Sequence, residues 1–190
     1  MAARLLLATR NDHKLREFER LLPGIGLDPL PAELESPEET GETYAANALI
    51  KARAAAQATG RAAFADDSGI EAEALGWAPG VRTARFAGEH ASDGENLAKL
   101  HREAPAGSRA RYVCAIAHVT PEGREHVFEA SCEGTLAVEP SGGGGFGYDP
   151  LFVPVEHPER TMAELTDAEK DAISHRGRAA RELLAWLTAG

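Results

Sequence analysis

Cysteine is scarce in this sequence of 190 residues: Cys114 and Cys132 are too few for a disulfide framework. Both stand in apolar, strand-like stretches, which points to buried free thiols in a reducing compartment. No pair of Cys and His shows the spacing of a zinc site. No run approaches the roughly 20 apolar residues of a membrane span. The opening apolar run, Leu5 to Ala8, is too short for a signal peptide and leads straight into Thr9-Arg10-Asn11. Positive charge is also in short supply. Lys and Arg number 20 against 30 Asp and Glu, a net charge of −10. The overall field therefore does not hold this chain on nucleic acid or on an acidic membrane. A small anionic substrate stays open, provided local cations or a metal receive it. The expectation is a cytoplasmic protein with neither nucleic acid nor membrane as partner. Hydrophobic residues at 43% and charged residues at 26% are ordinary globular proportions. The length suits a single domain over residues 1–190.

Patterning interleaves strands and helices. Arg4 to Thr9 reads as a buried strand, and Lys14 to Leu22 as a helix stopped by Pro23-Gly24. Glu33 to Glu42 is an acidic loop. Tyr44 to Thr59 is the clearest helix, with Ala45, Ala48, Leu49 and Ala52 on one face and Gly60 as its stop. Ala62 to Ala65 reads as a short strand ending in Asp66-Asp67-Ser68-Gly69, and Gly76 to Gly88 as a loop. Ser92 and Glu95 form a capping box for a helix to about Glu103. Arg111–Val119 and His126–Cys132 read as a hairpin, and Leu136-Ala137-Val138 as a further strand. Ser141 to Asp149 is glycine-rich. Thr166 with Glu169 caps another helix, and Ser174 the last one. This order favours an α/β fold: one domain with a mixed sheet, divided by the glycine-rich loop into two lobes with a cleft between them.

Four constellations could carry chemistry. Thr9-Arg10-Asn11-Asp12-His13-Lys14 joins the first strand to the first helix, and a helix start with a lysine suits an anion. A plain N-capped turn is the alternative. Glu38, Glu39, Asp66 and Asp67 supply oxygens of the kind Mg²⁺ prefers, or a proton acceptor for water. A solvated acidic loop and an Asx-type turn compete with that reading. In Gly142 to Pro150, Phe146 can stack on a flat ring and Asp149 can accept from ring N–H or sugar hydroxyl groups; a flexible loop with Phe146 tucked back is the competing reading. Lys170, His175, Arg176 and Arg178 crowd a helix start, where cations are mildly costly unless an anion or carbonyl receives them. A basic surface paired with Glu164 or Asp167 would serve equally.

With these residues in view, the sequence resembles the inosine triphosphate pyrophosphatase family, enzymes that clear non-standard purine nucleotides. Five blocks carry the resemblance in order across nearly the whole chain. They are Thr9-Arg10-Asn11 through Lys14; Asn47-Ala48 with Lys51-Ala52; Ala65 to Gly69 with Pro79-Gly80-Val81 and Ala84-Arg85; Gly145 to Pro150; and Ile173 to Gly177. The resemblance implies a two-lobed α/β fold with a central elongated mixed sheet, a homodimer, and a Mg²⁺ requirement. It implies hydrolysis of ITP, dITP or XTP to the monophosphate and pyrophosphate. Carried over by position, Thr9, Arg10, Asn11, Asp12, His13 and Lys14 would cradle the triphosphate. Glu39 and Asp67 would bind Mg²⁺, with Asp67 also the proton acceptor and Ser68 touching substrate. Phe146, Gly147, Tyr148 and Asp149 would hold base and sugar. Lys170, His175 and Arg176 would contact base or phosphates. The sequence departs from the family pattern at Arg10, where a small residue is common, and at Ala46, where an acidic one is usual. Spacing alone does not decide between Glu38 and Glu39, nor between Asp66 and Asp67. A pyrophosphatase for modified pyrimidine or methylated nucleotides, and a nucleotide- or RNA-binding module without turnover, are the rival readings.

Overall fold

The computed structural model describes residues 4–189. β1 (Leu5–Leu7) is buried throughout and leads into α1 (Asp12–Leu21). The Asn11 side chain accepts from the backbone N–H of His13 at 2.9 Å and of Lys14 at 3.2 Å. It thereby satisfies two of the donors that every helix start leaves open. β2 (Leu27–Pro29) returns parallel to β1, with Leu5 beside Leu27. Thr43 caps α2 (Tyr44–Thr59) by accepting from Ala46 N at 3.1 Å, and Gly60 ends it at φ +64°, a conformation glycine adopts without strain. The buried face of α2 is Ala48, Ala52, Ala55 and Ala56, small side chains that let it pack against β1. β3 (Ala63–Ala72) pairs parallel with β1 on the side away from β2.

The order β2-β1-β3 places a topological switch point at β1, because one crossover leaves to each side. Open α/β sheets bind ligands beyond the carboxyl ends of the strands at such a point. Thr9 to Lys14 departs from that end of β1. Asp66 and Asp67 lie on β3 just past its last pairing with β1, Leu7 beside Phe64. Asp66-Asp67-Ser68-Gly69 is not a turn after a short strand but the middle of the ten-residue β3. Carboxylates disfavour a strand when they seek water, but these two are met by Lys14, Lys51 and Asn47 and stay in the sheet.

Beyond β3, Gly76 to Gly88 is more ordered than the loop expected from sequence. It contains β4 (Ala78–Pro79), antiparallel to β3, and a 3-10 turn over Gly80–Arg85. Ser92 and Glu95 form the expected capping box at the start of α3 (Asp93–Glu103). β5 (Arg109–Val119) and β6 (Glu125–Leu136) are neighbours joined by a turn in which Thr120 N donates to Arg124 O at 2.9 Å. Leu136 ends β6 rather than opening a new strand. β7 (Phe152–Pro154) runs antiparallel to β6, and its three residues are too few to show a period in the sequence. α4 (Asp167–Ile173) starts at the predicted Thr166–Glu169 box, and α5 (His175–Thr188) follows Ser174.

The seven-stranded sheet runs β2-β1-β3-β5-β6-β7 with β4 on β3, and is mixed, as the α/β expectation requires. The chain forms two compact units. The first comprises the residues up to Asp67, Cys114–Ala130, and those from Arg178 on. Its core gathers Leu5, Leu7, Phe18, Phe64, Ile116 and Leu183, with Phe18 edge-on to Phe64 at 5.1 Å. The second comprises Ser68–Val113 and Ser131–Gly177, with its own core around Ile70, Leu100, Tyr112, Leu151 and Phe152. Cys114 and Cys132 are buried free thiols. Among the described residues, no helix is long and apolar enough to cross a membrane.

Candidate active site

In the first unit the chemistry gathers on two aspartates. The Asp66 side chain is wholly buried, and Lys14 Nζ lies 3.0 Å from its Oδ2. Asp67 accepts from Asn47 Nδ2 at 3.0 Å, and Lys51 Nζ stands 3.8 Å from its other oxygen. The same ammonium is 2.6 Å from Glu39 Oε1. Lys51 thus faces both Glu39 and Asp67, while Glu38 is exposed to solvent. Asn47 and Lys51 share a helix face because they are four residues apart on α2.

Burial raises the Asp67 carboxyl above its ordinary value; Lys51 and Asn47 oppose that rise, and the Glu39 charge adds to it. Burial pulls the Lys51 ammonium down, but Asp67, Asp66 and Glu39 outweigh it and leave Lys51 raised. The pair therefore has a firm cation beside a carboxylate that holds its proton more readily than usual, which suits exchange of a proton with water.

The segment Thr9 to Asp12 borders a cavity of 170 Å³ with Leu15, Pro29 and Leu30. Thr9 Oγ1 accepts from Asn11 N at 3.2 Å, and Asn11 is spent on its cap. Asp12 and His13 are exposed, the latter 3.2 Å from Arg16. The Arg10 guanidinium donates to the carbonyls of Pro31, Ala32 and Leu34 and ties down the start of the acidic loop.

In the second unit the centre is Phe146, half-buried on the glycine-rich loop. Lys170 Nζ lies 5.0 Å from its ring centroid and Arg176 Cζ 5.5 Å. Arg176 also donates to Ser68 Oγ at 2.8 Å. Asp149 is buried and accepts three hydrogen bonds, from Tyr112 Oη at 3.1 Å, Phe146 N at 2.9 Å and Lys170 Nζ at 2.8 Å. Gly145 has φ +66°, and a Cβ there would fall 2.0 Å from Asp149 Oδ2, so the loop closes on its own carboxylate only with glycine. Gly147 follows in the same left-handed region at φ +61°. Tyr148 is buried and donates to Thr83 O at 2.7 Å, which makes it an anchor of the loop. His175 lies flat on Tyr112, ring centroids 4.6 Å apart and planes at 7°.

The expected residues thus fall into two clusters, one in each unit. Lys170 belongs to the last turn of α4, where a cation is favoured, rather than to a crowded helix start. In the sequence Asn47 stands out only as part of a block, and Lys51 also as a cation of the long helix that faces either a cleft or water. Tyr112 carried no signal beyond strand alternation. Among the described residues, no group of three or more His, Cys, Asp or Glu side chains could hold a metal ion by itself.

The Ham1 family model matches residues 5–186. A protein of Symbiobacterium thermophilum named dITP/XTP pyrophosphatase is 49% identical over 98% of this chain and 95% of its own length. One of Cutibacterium acnes with the same name is 46% identical over 98% and 97%. The structure of a HAM1 protein from Coxiella burnetii superposes with a TM-score of 0.87 at 40% identity, covering 99% of this chain and all of that one.

Proposed function

Because this chain belongs to the Ham1 family, we propose that it hydrolyses non-standard purine nucleoside triphosphates, dITP, ITP and XTP, to the monophosphate and pyrophosphate. The observation that carries this is Asp67, a buried carboxyl beside the Lys51 ammonium at the switch point of the sheet. Water attacks a phosphorus of the triphosphate, the anhydride bond to pyrophosphate breaks, and Asp67 takes the proton from the attacking water. Lys14 and Lys51 supply positive charge for phosphate oxygens, and the open N–H groups of α1 add a partial one. Asp66 stays paired with Lys14 and wholly buried, which favours Asp67 as the base.

The donor set also fits Mg²⁺. Glu39 and Asp67 offer oxygens alone, and both already face one positive charge, the Lys51 ammonium. These two carboxylates would hold the ion, with phosphate and water oxygens completing its shell as is usual for Mg²⁺. When bound, it would offset charge on the phosphates.

Purine choice falls to the second cluster. Phe146 would stack on the base. Hypoxanthine and xanthine carry a carbonyl at C6 where adenine carries an amino group. A donor such as Arg176 welcomes the first and opposes the second. The same proposal takes a homodimer as the assembly, resting on the family resemblance, and the cytoplasm as the compartment, resting on the two buried free thiols. Its test is a panel of ITP, dITP, XTP, ATP and GTP with Mg²⁺. The expected result is turnover of the first three at least about a hundredfold above ATP. Equal hydrolysis of ATP and ITP overturns the polarity argument.

A further inference from the structure

We propose that Tyr112 is a positioning residue for purine recognition, coupling the glycine-rich loop to the start of α5 through one buried side chain. The inference rests on the reading that Phe146, Asp149 and Arg176 serve the purine half of the substrate. Tyr112 is only 6% exposed and makes two different contacts. Its hydroxyl donates to Asp149 Oδ1 at 3.1 Å, and the other oxygen of that carboxylate holds the backbone N–H of Phe146 and the Lys170 ammonium. Its ring lies against His175, the residue before Arg176, at 4.6 Å and 7°. Phe152 meets the ring edge-on at 4.8 Å and fixes its plane. Burial, with the Asp149 charge adding to it, keeps the hydroxyl protonated and therefore a donor.

The stacking aromatic and the guanidinium beside it thus take their places from one tyrosine on β5. Loss of the hydroxyl leaves a buried carboxylate oxygen without its donor, and Asp149 is then free to shift with the Phe146 backbone. Loss of the ring removes the flat support under His175 as well. Neither change touches Lys14, Lys51 or Asp67.

The experiment titrates two probes, IMP and inorganic pyrophosphate, each with MgCl₂, into wild type, Tyr112→Phe and Tyr112→Leu by calorimetry. IMP carries the base, and pyrophosphate reports the phosphate half alone. The phenylalanine variant keeps the ring stack, and its IMP dissociation constant is expected to rise about tenfold, with pyrophosphate binding unchanged within about twofold. The leucine variant is expected to lose more IMP affinity than the phenylalanine variant. Wild-type affinity for IMP in Tyr112→Phe overturns the inference, as does an equal loss for both probes, which marks a general structural role. Wild-type protein that binds pyrophosphate but not IMP overturns the base-site reading itself, and this inference with it.

Discussion

Asn47 donates its amide hydrogen to Asp67 Oδ2 across 3.0 Å. The oxygen of the same amide accepts from Gly41 N at 2.8 Å, so one wholly buried side chain fixes both the acidic loop and the aspartate on β3. A Cβ on Gly41 would fall 2.6 Å from that oxygen, and only glycine lets the loop dock there. Asp67 therefore owes its orientation to α2 and to the acidic loop as well as to its own strand.

Replacing the base is the first prediction. Asp67→Asn is expected to lower kcat for ITP by about a hundredfold or more while the fold persists. Asparagine keeps the shape and relieves a buried carboxylate whose burial is costly. Steady-state kinetics and thermal unfolding on the same preparation check both halves.

The pH dependence of stability follows from the direction of the Asp67 shift. Its folded value lies above its unfolded one. Between the two, the native state holds more protons than the unfolded state, so this group's contribution falls as pH rises through that interval. Metal-free wild type is therefore expected to lose stability relative to Asp67→Asn as pH rises from the ordinary carboxylate range. Denaturant titrations of both proteins at a series of pH values measure it. A difference that stays flat or changes in the opposite sense contradicts the assignment.

Lys14 and Arg10 are expected to behave differently although they share one loop. Lys14→Met removes the ammonium 3.0 Å from the wholly buried Asp66 carboxylate, and a broken buried pair costs about 3 kcal/mol or more. It also removes a cation from the phosphate end, so nucleotide KM is expected to rise. Adding Asp66→Asn should restore most of the stability but not the KM. Arg10→Ala, whose guanidinium is committed to loop carbonyls, should raise KM far less than Lys14→Met. Unfolding curves and KM values for the variants settle the comparison.

Phe146→Ala removes the aromatic surface beside Lys170 and Arg176. A base–aromatic stack contributes about 1–3 kcal/mol, so kcat/KM for ITP is expected to fall roughly tenfold to a hundredfold. Pyrophosphate inhibition should be unchanged, since that ligand has no base. Inhibition constants for pyrophosphate alongside ITP kinetics test the separation.

Much of this fold was legible because local signals agreed with it. The Tyr44–Thr59 helix, both Ser/Thr–Glu capping boxes and the hairpin turn each carried their own chemistry in the sequence. β2 and β7, three residues each, were not legible, because their strands exist only through pairing with a neighbour. Asp66-Asp67 read as a turn because carboxylates favour loops unless paired, and their partners Lys14 and Lys51 lie on other elements. At the candidate site, residue types and order were visible, but the commitments of most side chains were not. The Asn11 helix cap is local and the sequence offers it as the N-capped alternative, whereas Arg10 is spent on carbonyls and Tyr148 on the Thr83 carbonyl, partners set by tertiary structure. Tyr112 was invisible for the same reason.

The central claim is that Asp67 directs water onto the triphosphate so that pyrophosphate leaves in one step. The most direct measurement is product identification from ITP by phosphorus NMR, with wild type and Asp67→Asn side by side. IMP and pyrophosphate in equal amounts from wild type, with neither accumulating in the variant, is the result expected. Orthophosphate with IDP from wild type, or undiminished pyrophosphate release by Asp67→Asn, contradicts it.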